Sequence, residues 1–192
     1  MGYMKTVKRS MFWIFYILLL PIAFMVWIDK VAFNSKGIFA FFACLLSLLP
    51  GKTGSLLRVA YYYHTLENCS KDTAIGFGSF FSQREACIGK FVSIGAYSIL
   101  GKVEIEDHVL IASRVSIPSG KRQHSTEKLI LEKVRIGEST WIGEGAIVMA
   151  DVGQRCIVSA GSVVTRPLPN DIIAIGNPAR PLKKESLKMD VG

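Results

Sequence analysis

Residues that bind metals or attack substrates covalently are scarce in this chain of 192 residues. There are three histidines and four cysteines, and no two cysteines have the CxxC spacing of zinc or redox sites. Cys44, Cys69, Cys87 and Cys156 also lack the paired pattern of a disulfide framework, which suits a reducing cytoplasm. We therefore expect no metal site, and cysteines that act as small apolar residues rather than nucleophiles.

Acidic residues are almost absent from the first sixty positions. Asp29 alone stands there against seven Lys or Arg, which gives this segment +6 of the total charge of +8. A nucleic-acid-binding domain carries its cations as a stripe on the folded domain. Here they flank apolar runs, where cations attract anionic lipid headgroups. The charge pattern therefore predicts membrane lipids, and no nucleic acid, as partners.

Two apolar runs dominate the N-terminal segment. Residues 11–28 carry no charge and reach about 27 Å as a helix, close to the thickness of a bilayer core. Residues 38–49 form a shorter run, which could span a thinned bilayer by tilting, or form a re-entrant loop. A cleaved signal peptide is the alternative for the first run. We expect residues 1–66 to anchor the chain to a membrane, with a cytoplasmic N-terminus because its first cations precede position 10.

The segment after the second run begins with Pro50, Gly51 and Gly54, which predict a turn. The apolar and aromatic residues that follow predict a helix lying at the membrane interface. Tyr61, Tyr62 and Tyr63 are amphipathic rings of the kind that settle at headgroup depth, close to Arg58.

From about Thr73 onwards an apolar residue, here called the anchor, recurs every six positions, with one deletion before Ile105 and a slip of two before Val152. Neither an α-helix nor a half-buried strand has this period. Short strands cannot bury their apolar side chains alone and must stack on copies of themselves, so the period predicts a parallel β-helix of about five coils. The anchors are Ile88, Ile94, Leu100, Ile105, Ile111, Ile117, Ile136, Ile142, Val148, Val152, Val158 and Val164.

The repeat is interrupted at residues 120–131, GKRQHSTEKLIL, which we expect to leave the β-helix as a loop. Loops on rigid scaffolds often carry function, and this one contains His124. The β-helical domain is predicted at residues 67–184, followed by a short tail at residues 185–192.

The repeat resembles that of the hexapeptide-repeat acyltransferases. The most specific stretch is residues 134–180, in which WIG, SAGSVVT and GNPAR resemble the signature of members that acetylate sugars and xenobiotics. The LPGKTGSLLR segment also resembles a membrane-associated branch of polysaccharide O-acetyltransferases. The resemblance implies an all-β, left-handed parallel β-helix, preceded here by a membrane-embedded α-helical hairpin and an interfacial helix.

The resemblance also implies a homotrimer, with acetyl-CoA as co-substrate bound between subunits. His124 inherits the role of general base, although Gln123 stands where the family usually has Asn. The residues implied in acetyl-CoA binding are Trp141, Ala160, Thr165, Arg166, Arg180 and Lys183.

These residues imply an acyl-CoA-dependent O-acetyltransferase for a lipid-linked or polymer sugar at the cytoplasmic membrane face. Two alternatives remain: an N-acetyltransferase for a nucleotide-linked amino sugar, and an inactive scaffold for a polysaccharide-assembly complex. Because acyl-CoA is cytoplasmic, the chain must cross the membrane an even number of times. The expected arrangement is a hairpin that turns near residues 34–37 and returns through residues 38–49. Three further residues are weaker candidates for function. Glu85 could lie on the side that faces the acceptor. His108 is expected at an exposed corner of the β-helix, and His64 in the interfacial helix.

Overall fold

The computed structural model describes residues 2–119 and 132–183, with the backbone alone for residues 2–9 and Lys183. It begins with four helices: α1 (Gly2–Leu18), α2 (Leu20–Phe33), α3 (Gly37–Ser47) and α4 (Gly51–Thr65). Pro21 lies in the first turn of α2, where a missing backbone N–H is tolerated, and the chain bends by 50° between α1 and α2. Asn34, in the left-handed conformation, ends α2, so that the chain does turn near residues 34–37.

The rest of the described chain consists of short strands separated by turns, and most strands are two residues long. They are β1 (Asn68–Cys69), β2 (Ala74–Ile75), β3 (Phe80–Phe81), β4 (Cys87–Ile88), β5 (Ser93–Ile94), β6 (Ile99–Leu100), β7 (Val103–Ile105), β8 (Leu110–Ile111), β9 (Ser116–Ile117), β10 (Val134–Ile136), β11 (Trp141–Ile142), β12 (Ile147–Val148), β13 (Ile157–Val158), β14 (Val163–Val164), β15 (Ile172–Ile175) and β16 (Arg180–Lys183).

The strands stack into three sheets, one for each face of a parallel β-helix. Sheet A has the order β1-β4-β7-β10, sheet B β2-β5-β8-β11-β13-β15-β16, and sheet C β3-β6-β9-β12-β14. Isolated bridges at Val152 and Leu168 extend sheet A. The chain visits sheets A, B and C in turn and so completes about five coils, as the six-residue period predicts. The final strand β16 runs antiparallel to β15.

The interior of the β-helix is formed by the anchors and by the small residues two positions before them. All twelve anchors are buried, and Phe81, Ile75 and Cys69 extend the same column into a first coil that begins at Asn68. The hydrophobic column explains the fold, because each inward side chain finds apolar surface only in the coils above and below it.

The glycine that follows many anchors allows neighbouring coils to stack closely, because it has no Cβ. A Cβ at Gly95 would lie 2.5 Å from the carbonyl carbon of Ala112, and a Cβ at Gly143 would lie 2.5 Å from the amide nitrogen of Ala160. The left-handed backbone conformation instead occurs three residues after the anchor, usually without glycine. The non-glycine residues at this position have φ between +53° and +62° and are Phe91, Tyr97, His108, Arg114, Ser139, Arg155 and Asp171.

Helices α3 and α4 cover the open end of the first coil. Arg58 is buried, and its guanidinium donates from Nε and Nη2 to the Ile75 carbonyl oxygen of β2, at 3.2 and 3.0 Å. Its Nη1 donates to three carbonyl oxygens at the end of α3, those of Leu46 (3.0 Å), Ser47 (3.3 Å) and Leu49 (2.8 Å). One side chain therefore joins α3, α4 and the first coil.

The predicted return of the chain through residues 38–49 is wrong. At the C-terminal end of α3, the Gly78 amide donates to the Ser47 carbonyl oxygen over 2.7 Å. At its N-terminal end, Lys36 Nζ lies 3.0 Å from Glu85 Oε1, between the first and second coils. Because both ends of α3 contact the β-helix, α3 lies across its end and does not cross a bilayer away from it.

The predicted interfacial helix is also wrong for most of its residues. Tyr61 and Tyr62 are buried, and burial raises the pKa of both phenols. The Tyr61 hydroxyl donates to the Phe39 carbonyl oxygen (2.8 Å), and the Tyr62 hydroxyl accepts from the Phe81 amide (3.0 Å). Gly54 lies within α4 rather than in a turn. In the described chain no single helix is long and apolar enough to span a membrane, although α1 from Ser10 and α2 have the length and composition as a bent pair.

Candidate functional site

The β-helix has three edges, and the edge between sheets C and A differs from the other two. We call it the C–A edge. The chain leaves β9 of sheet C and is described to Ser119, and it resumes at Glu132 before β10 of sheet A, so both described ends of the interruption lie at this edge. His124 lies outside the described residues. At the departure point the Ser119 hydroxyl accepts from the Lys102 amide over 2.8 Å, which fixes the start of the interruption on the coil below.

Lys133 fixes the chain where it returns. Its Nζ lies 2.6 Å from Glu67 Oε2, across sheet A, and 3.7 Å from Cys87 Sγ. The hydrogen bond with Lys133 lowers the pKa of Glu67 and raises that of Lys133, so both stay charged at neutral pH. Burial raises the pKa of Cys87, and raises that of Cys69 to about 12, which keeps both thiols protonated at neutral pH.

Thr165 and Arg166, two of the residues implied in acetyl-CoA binding, lie on the C–A edge. The register of sheet C aligns Ser116 with Ile147 and Ile147 with Val163. Thr165 therefore lies two coils beyond Pro118, a distance of about 10 Å at the usual spacing of neighbouring strands. Thr165 and Arg166 are both exposed. The fold thus brings the residues at the base of the His124 segment close to Thr165 and Arg166.

The other implied residues lie elsewhere on the protomer. Trp141 is half-exposed on sheet B, and Arg180 pairs with Ile175 in the antiparallel strand that ends the same sheet. Lys183 closes that strand and pairs with Ile172. Ala160 is exposed at the edge between sheets B and C, stacked on Gly143. Within one protomer the six residues form two groups separated by sheet C.

A polar cluster that the sequence does not predict lies on the C–A edge between the first two coils. Lys36 Nζ donates to Gln83 Oε1 and forms an ion pair with Glu85. Burial opposes ionisation of Glu85, but the hydrogen bond from Lys36, a backbone hydrogen bond and the charges of Lys36 and Lys102 together lower the pKa of its carboxyl. Arg84 is buried and donates to the Ser35 carbonyl oxygen. The signal in the sequence is that anchors Phe81 and Ile88 are seven residues apart rather than six.

The other two histidines have local roles. His108 is exposed at the edge between sheets A and B and stacks on Phe91, with ring centroids 5.0 Å apart. His64 stacks on Tyr16 of α1 at 4.0 Å, and its Nε2 lies 3.0 Å from the Tyr16 carbonyl oxygen. Within residues 2–119 and 132–183, no three His, Cys, Asp or Glu side chains converge as metal ligands do.

Known proteins resemble both the sequence and the fold. A galactoside O-acetyltransferase from Lactococcus lactis is 30% identical over 87 residues, which are 42% of this chain and 42% of the relative. A maltose O-acetyltransferase structure from Clostridium difficile superposes with a TM-score of 0.64 at 22% identity, covering 76% of this chain and 84% of that chain. The sequence match is therefore to part of an acetyltransferase, and the structural match shows that the fold is shared. No protein-family model matches the chain.

An N-acyltransferase structure from Bacillus cereus, in complex with dTDP-4-amino-4,6-dideoxyglucose and coenzyme A, shares the fold. Its TM-score is 0.52 at 23% identity, covering 60% of this chain and 73% of that chain. The chain spans less than half the length of the galactoside acetyltransferase that it matches. The proteins that this chain resembles include an O-acetyltransferase and an N-acyltransferase, so the comparisons do not choose between oxygen and nitrogen acceptors.

Proposed function

We propose that the protein is an acyl-CoA-dependent O-acetyltransferase that acetylates a hydroxyl of a lipid-linked or polymer sugar at the cytoplasmic face of a membrane. The observation that supports this most is that Ser119, the last described residue before the 120–131 interruption, lies on the C–A edge. Its neighbour Pro118 is two coils, or about 10 Å, from Thr165 and Arg166 on the same edge.

The chemistry requires a base because a sugar hydroxyl is a weak nucleophile at neutral pH. His124 takes the hydroxyl proton as the oxygen attacks the thioester carbonyl of acetyl-CoA. The new C–O bond forms, the C–S bond breaks, and the proton goes to the departing coenzyme A sulfur. A backbone N–H at the edge of a coil can stabilise the oxyanion of the tetrahedral intermediate.

The binding of acetyl-CoA is best explained by two subunits. Trp141, Arg180 and Lys183 on sheet B and the C–A edge of one protomer are separated by the whole of sheet C. In a homotrimer, sheet B of one subunit can approach the C–A edge of the next, which would bring both groups to one site. The outward residues of sheets B and C include exposed apolar side chains, such as Leu110 and Ile147, which an interface would cover.

The Lys36, Gln83 and Glu85 cluster supports an acceptor position on the lower coils of the C–A edge. This cluster lies two coil steps from Ser119, again about 10 Å, a separation that suits a sugar between the cluster and the start of the interruption. Charged and amide side chains of this kind are suited to hydrogen bonds with sugar hydroxyls.

Replacing His124 tests the proposal. The His124→Ala variant should release thiol from acetyl-CoA about 10²–10⁴-fold more slowly in the presence of acceptor, the usual effect of losing a general base. Acetyl-CoA affinity, measured by calorimetry, should change little. His108→Ala is the matched control and should have nearly wild-type activity, since His108 lies on a different edge.

A panel of acceptors distinguishes the reaction classes. Acetylation of a hydroxylated glycan, with ester bonds that mild base removes, supports the proposal. Acetylation confined to a nucleotide-linked amino sugar would establish N-acetyl transfer instead. Absence of thiol release with every acceptor would favour an inactive scaffold.

A further inference from the structure

The exposed apolar side chains of this protein are concentrated on one part of its surface. Of the large apolar residues exposed in the described chain, fifteen lie between Trp13 and Leu49, and only eight lie on the β-helix. We call the outer side of α1–α3 the apolar face. It includes Ile14, Ile17, Phe33 and Phe41, each more than 60% exposed. A concentration of exposed apolar side chains of this kind marks a site of interaction.

The opposite side of the same helices already packs on the protein. Phe12 of α1 contacts Tyr63 of α4, with ring centroids 5.6 Å apart, and Leu19 and Val26 are buried. Phe39 of α3 is buried, and its ring lies 6.4 Å from that of Tyr62 of α4. The three helices therefore have one side packed on α4 and, through α3, on the first coil, and the other side exposed.

The composition of the apolar face fits a lipid bilayer. It carries aromatic rings, including the stacked pair Phe24 and Trp27, whose centroids are 5.9 Å apart. Lys30 of α2 is exposed, Lys52 is exposed three positions after Leu49, and Lys5, Lys8 and Arg9 precede Ser10 in the sequence. Aromatic rings and cations beside an apolar surface are typical of helices that lie in the interface of anionic membranes.

The arrangement of the helices limits how they can enter the bilayer. Residues 34–36 contact the C–A edge through Lys36 and Glu85, so the end of α2 lies on the same side of the membrane as the β-helix. Helix α3 stays on that side because both of its ends are held there. A crossing could therefore occur only through α1 and α2, and would place the N-terminus on the side opposite the β-helix.

We propose that α1–α3 enter one leaflet only, with the apolar face among the acyl chains and the first coil of the β-helix facing the membrane surface. Because no helix then crosses the bilayer, the cationic N-terminus and the β-helix lie on the same side of it. The bend of 50° at the start of α2 suits a pair of helices that follows the interface. The inference deepens the proposed function, since it would place the Lys36–Glu85 cluster at headgroup level and the base of the His124 segment about 10 Å above it.

Flotation with preformed vesicles tests the docking surface. The full-length protein should float with vesicles of phosphatidylcholine and phosphatidylglycerol, and should do so less well with phosphatidylcholine alone. Combining Ile17→Glu with Phe24→Glu should weaken flotation at least about tenfold, because burying each apolar side chain contributes more than the roughly 1.4 kcal/mol that a tenfold change requires. Phe91→Glu, which changes an exposed ring on the β-helix, should float as the wild type does. Equal flotation of the double variant, or assembly of the protein on itself without flotation, would overturn the proposal.

Fluorescence locates the inserted residues. The chain has three tryptophans, Trp13 and Trp27 on the apolar face and Trp141 on the β-helix. Lipids brominated on their acyl chains should quench Trp13 and Trp27 in the Trp141→Phe variant. They should leave Trp141 unquenched when the other two are replaced by Phe. Quenching of Trp141 alone would contradict the assignment.

Thiol labelling distinguishes entry into one leaflet from crossing. In a Cys44→Ser, Cys87→Ser background, the remaining Cys69 and Cys156 are buried. Single cysteines introduced by Gly2→Cys and Lys90→Cys should both react with an impermeant maleimide added outside the vesicles. Reaction at position 2 only after detergent treatment would show that α1 and α2 cross the bilayer, and would refute the one-leaflet arrangement. None of these measurements uses acetyl-CoA or an acceptor, so a failed catalytic proposal would not affect them.

Discussion

Replacing Arg58 by Met removes a buried side chain that joins α3, α4 and the first coil. The guanidinium is buried and donates to four carbonyl oxygens, those of Ile75, Leu46, Ser47 and Leu49. Burial lowers the pKa of Arg58, yet an arginine remains protonated at any physiological pH. Met has a similar length and no donor, so the variant keeps most of the packing and loses the hydrogen bonds.

The expected loss in the free energy of unfolding follows from the carbonyl oxygens that Arg58→Met leaves without a donor. A hydrogen bond to a charged group contributes about 1.5–3 kcal/mol, and a buried acceptor left without a donor costs about 1–3 kcal/mol. The four acceptors are close together and some can reach water, so the effects do not add. We expect Arg58→Met to reduce the free energy of unfolding by about 4 kcal/mol, in line with removing one member of a buried charged network. For a chain of this size this corresponds to a melting temperature lower by about 8–16 °C.

Thermal unfolding of the full-length protein, followed by circular dichroism in one detergent, measures the effect. Arg58→Lys should be intermediate, because an ammonium has three donors and lacks the planar fork of a guanidinium. Arg114→Met is the control: its side chain is 73% exposed and 3.8 Å from Glu144, so its effect should stay within about 0.5 kcal/mol. A loss below about 1 kcal/mol for Arg58→Met would refute the view that this arginine holds α3 on the β-helix.

Two further predictions concern the cofactor residues and the assembly. Arg180→Ala and Lys183→Ala should each weaken acetyl-CoA binding about fivefold in calorimetry, with a smaller loss at high salt where exposed charged contacts are screened; unchanged affinity for both variants would mean that the phosphates bind elsewhere. Mass measurement in detergent should give a homotrimer, because Trp141 and the C–A edge of one protomer lie on different faces. A stable monomer with full activity would exclude a site shared between subunits.

The β-helix could be predicted from the sequence because the apolar character of each anchor indicates that its side chain is buried. A period of six cannot be produced by a helix or a half-buried strand, and residues such as Ile94, Ile111 and Ile142 are buried in one column as that period requires. The interruption at residues 120–131 was visible for the same reason. The left-handed positions were not, because Phe91, Tyr97 and His108 are residues that rarely adopt this conformation, and it is the geometry of the coil that imposes it on them.

Only the tertiary structure decided what the apolar runs contact and which distant residues share an edge. Hydropathy measures the preference of a side chain for leaving water. It does not distinguish a side chain that enters lipid from one that enters a protein interior. Phe39 and Ala43 therefore resembled a membrane segment, although they are buried on the first coil. Thr165 and Ser119, the last described residue before the interruption, lie on one edge because of the register of every coil between them. Register is set by stacking contacts that are long-range in sequence, so no local pattern specified that edge.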